Sequence, residues 1–174
     1  MIYGFNAHEI FQIAIDIETN GEQFYKRAAD MVDNPDVKAL LTSLGQEEIQ
    51  HRKTFSELMS RLPKEATNST VWDPSHEMDR YLQMMADMNV FRSDMDVEKA
   101  LSEVQGLEDV LRLGIQFEKD SIIFYLTMHD AADKKKGRDY IDQLVEEEKK
   151  HLKKLVLELR KHVPCKETID SASG

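Results

Sequence analysis

Apolar residues in this chain recur at alternating three- and four-residue steps along four long stretches, the spacing that one buried face of an α-helix requires. The first series runs through Ile10, Ile13, Ala14, Ile17, Phe24 and Ala28. Asn6 and Glu9 ahead of it have the form of a capping box, so a helix is predicted from about 7 to 31. Asn34-Pro35 supplies a cap followed by proline in the first turn. Val37, Leu40, Leu41, Leu44, Phe55, Leu58 and Leu62 then carry a second helix over about 35 to 62, where Pro63 stops it. A third is predicted from near Gly106 through Val110, Leu113, Phe117, Phe124 and Met128 to a turn at Asp133 to Gly137. The fourth covers about 138 to 162 and carries Ile141, Leu144, Leu152, Leu155 and Leu159.

Short turns close each pair of helices, and only residues 63 to 105 form a long connection. Asp73-Pro74 opens a helical piece there over about 75 to 91, and Asp96 caps a shorter one through Val104. A connection of this length can travel the height of a bundle, which makes the second and third helices parallel. The predicted architecture is therefore all-α: a ferritin-like four-helix bundle of two antiparallel helix hairpins, 6–62 and 106–162, joined by a partly helical crossover, 63–105. These form one domain over 1–164, with 165–174 a flexible tail.

Polar residues interrupt the apolar faces, and they do so twice. Glu18, Tyr25, Glu48 and His51 reappear one hundred positions on as Glu118, Tyr125, Glu148 and His151. Phe24, Leu44 and Glu47 recur likewise as Phe124, Leu144 and Glu147, so the two hairpins read as copies of one unit. On the second helix the stripe steps 37, 41, 44, 48, 51, 55, which sets Glu48 and His51 among core positions, and the fourth helix repeats this with Glu148 and His151. Any one of these residues alone reads as a boundary group or a hydrogen-bonded core residue. Four unpartnered carboxylates turned inward together would each cost several kcal/mol, against a net domain stability of only ~5–15 kcal/mol. Two divalent cations would neutralise them, and carboxylate with imidazole is the donor set that hard to intermediate metals take.

Composition adds limits. A chain of 174 residues, 41% hydrophobic and 32% charged, fits one soluble helical domain. The net charge of -10 argues against nucleic acid or an anionic membrane as partner, and no apolar run is long enough to span a bilayer. With no secretory signal and a single cysteine, Cys165, a cytoplasmic location is expected.

The residues Glu18 with Phe24-Tyr25, Glu47-Glu48-Ile49-Gln50-His51, Glu118 with Phe124-Tyr125, and Glu147-Glu148-Lys149-Lys150-His151 resemble the rubrerythrin-like branch of the ferritin-like superfamily. One Glu-x-x-His arises by chance in many helices. Two copies, each about thirty residues after another inward Glu, are specific. The resemblance implies a non-haem centre of two iron ions, with manganese the alternative. Glu48 and Glu148 would bridge the metals, His51 and His151 would each bind one, and Glu18 and Glu118 would be terminal ligands. Relatives of this kind reduce hydrogen peroxide or dioxygen, and that activity is the expectation for this chain. A rubredoxin-type domain needs four cysteines in paired motifs, so the electrons are expected from an external donor such as a rubredoxin. A ferroxidase that handles iron would use the same ligands. A metal-free helical adaptor is the alternative of another class, and a homodimer is the expected assembly.

Rubrerythrin centres also use a further glutamate on the third helix, whereas Ile115 and Ser121 flank Glu118 here. Glu22, one turn after Glu18, is the candidate substitute, against a boundary role suggested by its repeat partner Ile122. Glu47 and Glu147 either orient the histidine of the opposing hairpin or lie on the surface. Tyr25 and Tyr125 either hydrogen-bond ligand carboxylates across the bundle, supporting catalysis, or fill the core. Gly21, Gly45 and Gly114 each sit one turn from a ligand, which close helix approach or room for an oxidant would explain. The Met78, Met84, Met85, Met88 and Met95 cluster reads as adaptable packing, Lys134 to Arg138 as a solvated turn or a docking patch, and His8, His76, His129 and His162 as structural.

Overall fold

Helix α1 (Ala7–Met31) stops three residues before α2 (Pro35–Ser60), and Asn34 sets the second start. Its Oδ1 accepts from the amides of Asp36 and Val37 at 3.0 and 3.1 Å, satisfying two donors that the first turn leaves unpaired. At the other end Arg61 and Leu62 donate back to Leu58 and Met59, tightening the last turn. Three more helices follow: α3 (Val97–Ser102), α4 (Leu107–Ala131) and α5 (Arg138–His162). This computed structural model describes residues 7–62, 84, 97–131 and 138–163, and among them there is no strand. The predicted piece at 75–91, apart from Met84, and the Asn6 cap, the 134–137 turn and the tail lie outside the described residues. The shorter crossover piece is α3, which packs on α1 and joins it through an exposed Arg27–Glu98 pair at 2.7 Å.

The long helices form two hairpins, α1 along α2 and α4 along α5, with α1 also facing α4 and α2 facing α5. Direction follows from reciprocal contacts. Tyr25 reaches Glu118 while Tyr125 reaches Glu18, so α1 and α4 are antiparallel. His51 meets Glu147 while His151 meets Glu47, so α2 and α5 are antiparallel too. Because α2 also opposes α1, α2 and α4 run parallel, as the long connection between them permits. This is the expected ferritin-like arrangement.

Core side chains fill the bundle on both sides of a polar middle: Ala14, Ile17, Phe24, Leu41, Leu44, Phe55, Phe117, Phe124, Leu144 and Leu155 are all at most 1% exposed. Burial of each large side chain contributes about 1.5–3 kcal/mol, so this packing supplies the favourable energy against which the polar middle is set. No described helix is long and apolar enough to cross a membrane.

Candidate metal centre

The four long helices each turn one carboxylate into the same interior space. Glu18, Glu48, Glu118 and Glu148 are at most 1% exposed, and His51 and His151 are 5% and 0% exposed. Glu48 and His51, three residues apart, lie one turn apart on one face of α2, and Glu148 and His151 do the same on α5. The six residues form two overlapping groups. Glu18, Glu48, His51 and Glu148 bring one ligand atom each within 4.8 Å of one another, and so do Glu48, Glu118, Glu148 and His151. Glu48 and Glu148 belong to both groups, the placement that bridging carboxylates between two cations require.

Neighbouring groups hold the outer atom of each residue. His51 Nε2 lies 2.9 Å from Glu147 Oε2, and His151 Nε2 lies 2.8 Å from Glu47 Oε2. An ionised carboxylate can only accept, so each Nε2 donates and each Nδ1 is the nitrogen turned to the interior. Tyr25 donates its hydroxyl to Glu118 Oε1 and Tyr125 donates to Glu18 Oε1, each across the bundle. Every one of these contacts has its counterpart one hundred residues away. The two imidazoles stack at 5.6 Å between centroids and 18° between planes, which sets them side by side between α2 and α5.

What remains faces inward. Glu18 Oε2, Glu118 Oε2, both oxygens of Glu48 and of Glu148, and the Nδ1 atoms of His51 and His151 are buried without a hydrogen-bond partner. Although His51 Nδ1 comes within 2.9 Å of Glu148 Oε1, the contact lacks hydrogen-bond geometry. Burial pushes the Glu18 carboxyl well above the usual range, and Glu48 beside it adds to the rise. Burial does the same at Glu118, reinforced by Glu148. Burial alone disfavours an imidazolium at His51, yet Glu148, Glu18 and Glu48 around it push its pKa up. At His151 burial is again outweighed, by Glu118, Glu148 and Glu48. The protein groups alone therefore compete for protons in a space where charge is expensive. Two divalent cations relieve that conflict: eight inward oxygen and nitrogen atoms, no sulfur, and four negative charges fit a dimetal site.

The rubrerythrin family model matches residues 9–159 of this chain. The chain belongs to the rubrerythrin family. A solved structure described as a ferritin-like diiron-carboxylate protein, from Thermotoga maritima, superposes with a TM-score of 0.71 over 94% of this chain and 100% of that one. At 22% sequence identity, that likeness is one of fold. No curated protein matches the chain in sequence.

Glu22, weighed as a seventh ligand, belongs to neither group: its carboxylate pairs with Arg52 Nη1 at 2.7 Å. In the second hairpin the corresponding residues are Ile122 and Leu152, so an ion pair in one copy is an apolar pair in the other. Glu47 and Glu147 take the histidine-orienting role, and Tyr25 and Tyr125 the hydrogen-bonding one. His129 faces Asp142 at 3.4 Å and His162 faces Glu158 at 3.1 Å, both away from the centre. His8 is exposed, and His76 lies outside the described residues. One residue the sequence did not single out also joins the site: Lys154 Nζ lies 3.0 Å from Glu47 Oε1. Partial burial raises the Glu47 pKa, but Lys154 and His151 outweigh it and hold that carboxylate below its usual range. The signal was present in the repeat, since position 54 carries threonine where 154 carries lysine.

Proposed function

We propose that this chain is a non-haem di-iron oxidoreductase that reduces hydrogen peroxide to water, with dioxygen the alternative oxidant and the electrons supplied by an external donor. The balance is one peroxide, two protons and two electrons giving two waters. The observation that carries this reading is the inventory of inward atoms. Each cation is offered four residues, whereas iron and manganese take about six ligands, so positions remain for an oxidant. A pair of iron ions, when bound, supplies two electrons from adjacent centres.

The chain's own groups do the rest. Glu48 and Glu148, which belong to both groups, would be shared by the two cations, and His51 and His151 would each offer a nitrogen to one of them. Burial pushes the Tyr25 and Tyr125 hydroxyls well above their usual pKa, with Glu118 and Glu18 adding to the effect. Both tyrosines thus keep their protons and remain donors to the terminal carboxylates. Rings enclose the centre: Phe117 packs on Tyr25 at 6.0 Å and Phe55 on Tyr125 at 5.5 Å, excluding water and strengthening each electrostatic contact.

Anaerobic Fe(II) titration with metal analysis, followed by challenge with peroxide or air, tests the proposal. Saturation near two irons per chain and faster oxidation by peroxide than by air are expected. Continued oxidation of iron beyond two per chain would assign the same centre to iron handling instead. A chain that binds no iron overturns both.

A further inference from the structure

The two halves of the centre are not equivalent, and the difference lies at positions 21 and 121. Gly21 sits where a side chain could not: a Cβ there would lie 2.6 Å from Phe117 Cζ and 3.4 Å from Glu48 Cγ. The Phe117 ring therefore closes that flank of the centre. One hundred residues away the glycine becomes Ser121, and the residue matching Phe117 becomes the smaller Ile17. The repeat places Ser121 relative to Glu148 as Gly21 is placed relative to Glu48, with a hydroxyl where the first hairpin has no side chain.

That hydroxyl is unusual. Thr19, Thr42, Thr54, Ser56 and Thr127 each turn back to the carbonyl four residues earlier, and Ser43, Ser60 and Ser102 bond within their own helices. Ser121 alone among the described serines and threonines makes no hydrogen bond, although it is only 1% exposed. A buried hydroxyl without a partner is costly, and bonding to the Phe117 carbonyl would remove that cost. Its position is equally specific. Ser121 lies one turn beyond Glu118 on α4 and one turn before Tyr125, whose hydroxyl reaches Glu18. It thus stands between the levels of the two terminal carboxylates, on the α4 face that carries Glu118 and Tyr125.

We infer that the Ser121 hydroxyl is the hydrogen-bonding seat for a small exogenous ligand of the hydroperoxide or azide class, taken up at the centre on the flank where Ile17 stands in place of the phenylalanine ring. This rests on the dimetal reading proposed above, but not on which reaction follows. Among the described residues Ser121 is the one buried hydroxyl without a partner, and position 21 offers none, so ligand uptake would be one-sided in an otherwise two-fold centre. The hydroxyl would donate to the ligand's negative end.

Azide titration of the iron-loaded, oxidised protein, followed by its charge-transfer absorption, tests this. Ser121→Ala is expected to weaken azide binding about 10- to 100-fold, the ratio one hydrogen bond to a charged acceptor provides, with two irons still bound. Ser121→Cys, similar in size but a weaker donor, is expected to fall between. In the metal-free chain Ser121→Ala should leave the denaturation midpoint unchanged or raise it, because an unpartnered hydroxyl is removed. Equal azide affinity in all three proteins overturns the inference, as does a fall in iron stoichiometry or a lower midpoint in the alanine variant. A wild-type chain that takes up no iron instead overturns the dimetal reading itself.

Discussion

Glu147 and Glu47 do the same work at different exposures, and that difference sets what each contributes. Glu147 holds His51 from a side chain that is 51% exposed, with no lysine at position 54 to steady it, whereas Glu47 is braced by Lys154. A carboxylate behind a metal-binding histidine fixes ring orientation and tautomer, and losing one lowers metal affinity about 10- to 100-fold. Water can replace the half-exposed Glu147, so Glu147→Ala is expected to weaken the tighter-measured metal affinity by about tenfold, the low end of that range. Competition with a chromophoric chelator measures it. Unchanged affinity would mean that packing alone orients His51. At this scale the six candidate ligands were legible because charged residues on an apolar stripe stand out one by one. Lys154 and the Glu22–Arg52 pair were not, since an exposed lysine or a boundary glutamate looks the same whether or not a partner lies across the groove.

Among the helices, glycine marks where two elements meet most closely, and the structure separates cases that the sequence left alike. At Gly21 an added methyl would meet the buried Phe117 ring at 2.6 Å, and that ring is itself fixed against Tyr25. At Gly114 the nearest atoms, on Leu155 and Phe24, are 3.4 Å from an added Cβ, which is ordinary contact. Gly21→Ala should therefore destabilise the chain by about 1–3 kcal/mol through overpacking, beyond what helix propensity returns. Gly114→Ala should be neutral or stabilising by up to about 1 kcal/mol, because alanine is the better helix former. Urea denaturation of the two variants gives the comparison, and equal shifts would contradict the difference in helix approach. The helices themselves were legible from periodicity, Asn34 and Pro35, as the observed start of α2 shows. Element ends were less so: α2 stops at Ser60 because its last turn tightens onto Leu58 and Met59 carbonyls.

For the molecule as a whole, a core that encloses four carboxylates is stabilised by whatever neutralises them. A cation that binds only the folded chain adds about 2.7 kcal/mol at one hundred times its dissociation constant, or roughly 5 to 10 °C in melting temperature for a domain of this size. Chelator treatment should lower the melting temperature by that amount, and readdition of Fe(II) under anaerobic conditions should restore it. Glu48→Ala, which removes a residue shared by both groups, should abolish the shift on metal addition. A melting temperature indifferent to metal in the unmodified chain would be inconsistent with a dimetal core. The parallel direction of α2 and α4 was legible because only one connection is long enough to cross the bundle.

Local rules act between residues three and four apart, and so the sequence by itself determined the four long helices, their pairing into hairpins and the six polar residues that share the interior. The hundred-residue repeat extended this to a two-fold centre, since duplicated faces must meet. Tertiary structure alone decided which imidazole nitrogen turns inward, which tyrosine serves which carboxylate, that Glu22 is held by Arg52, and that one flank is closed by Phe117 while Ser121 stands on the other. These depend on rotamers fixed by neighbours distant in the chain, and a tenth of a nanometre in helix approach determines whether a ring, a methyl or a ligand fills the gap.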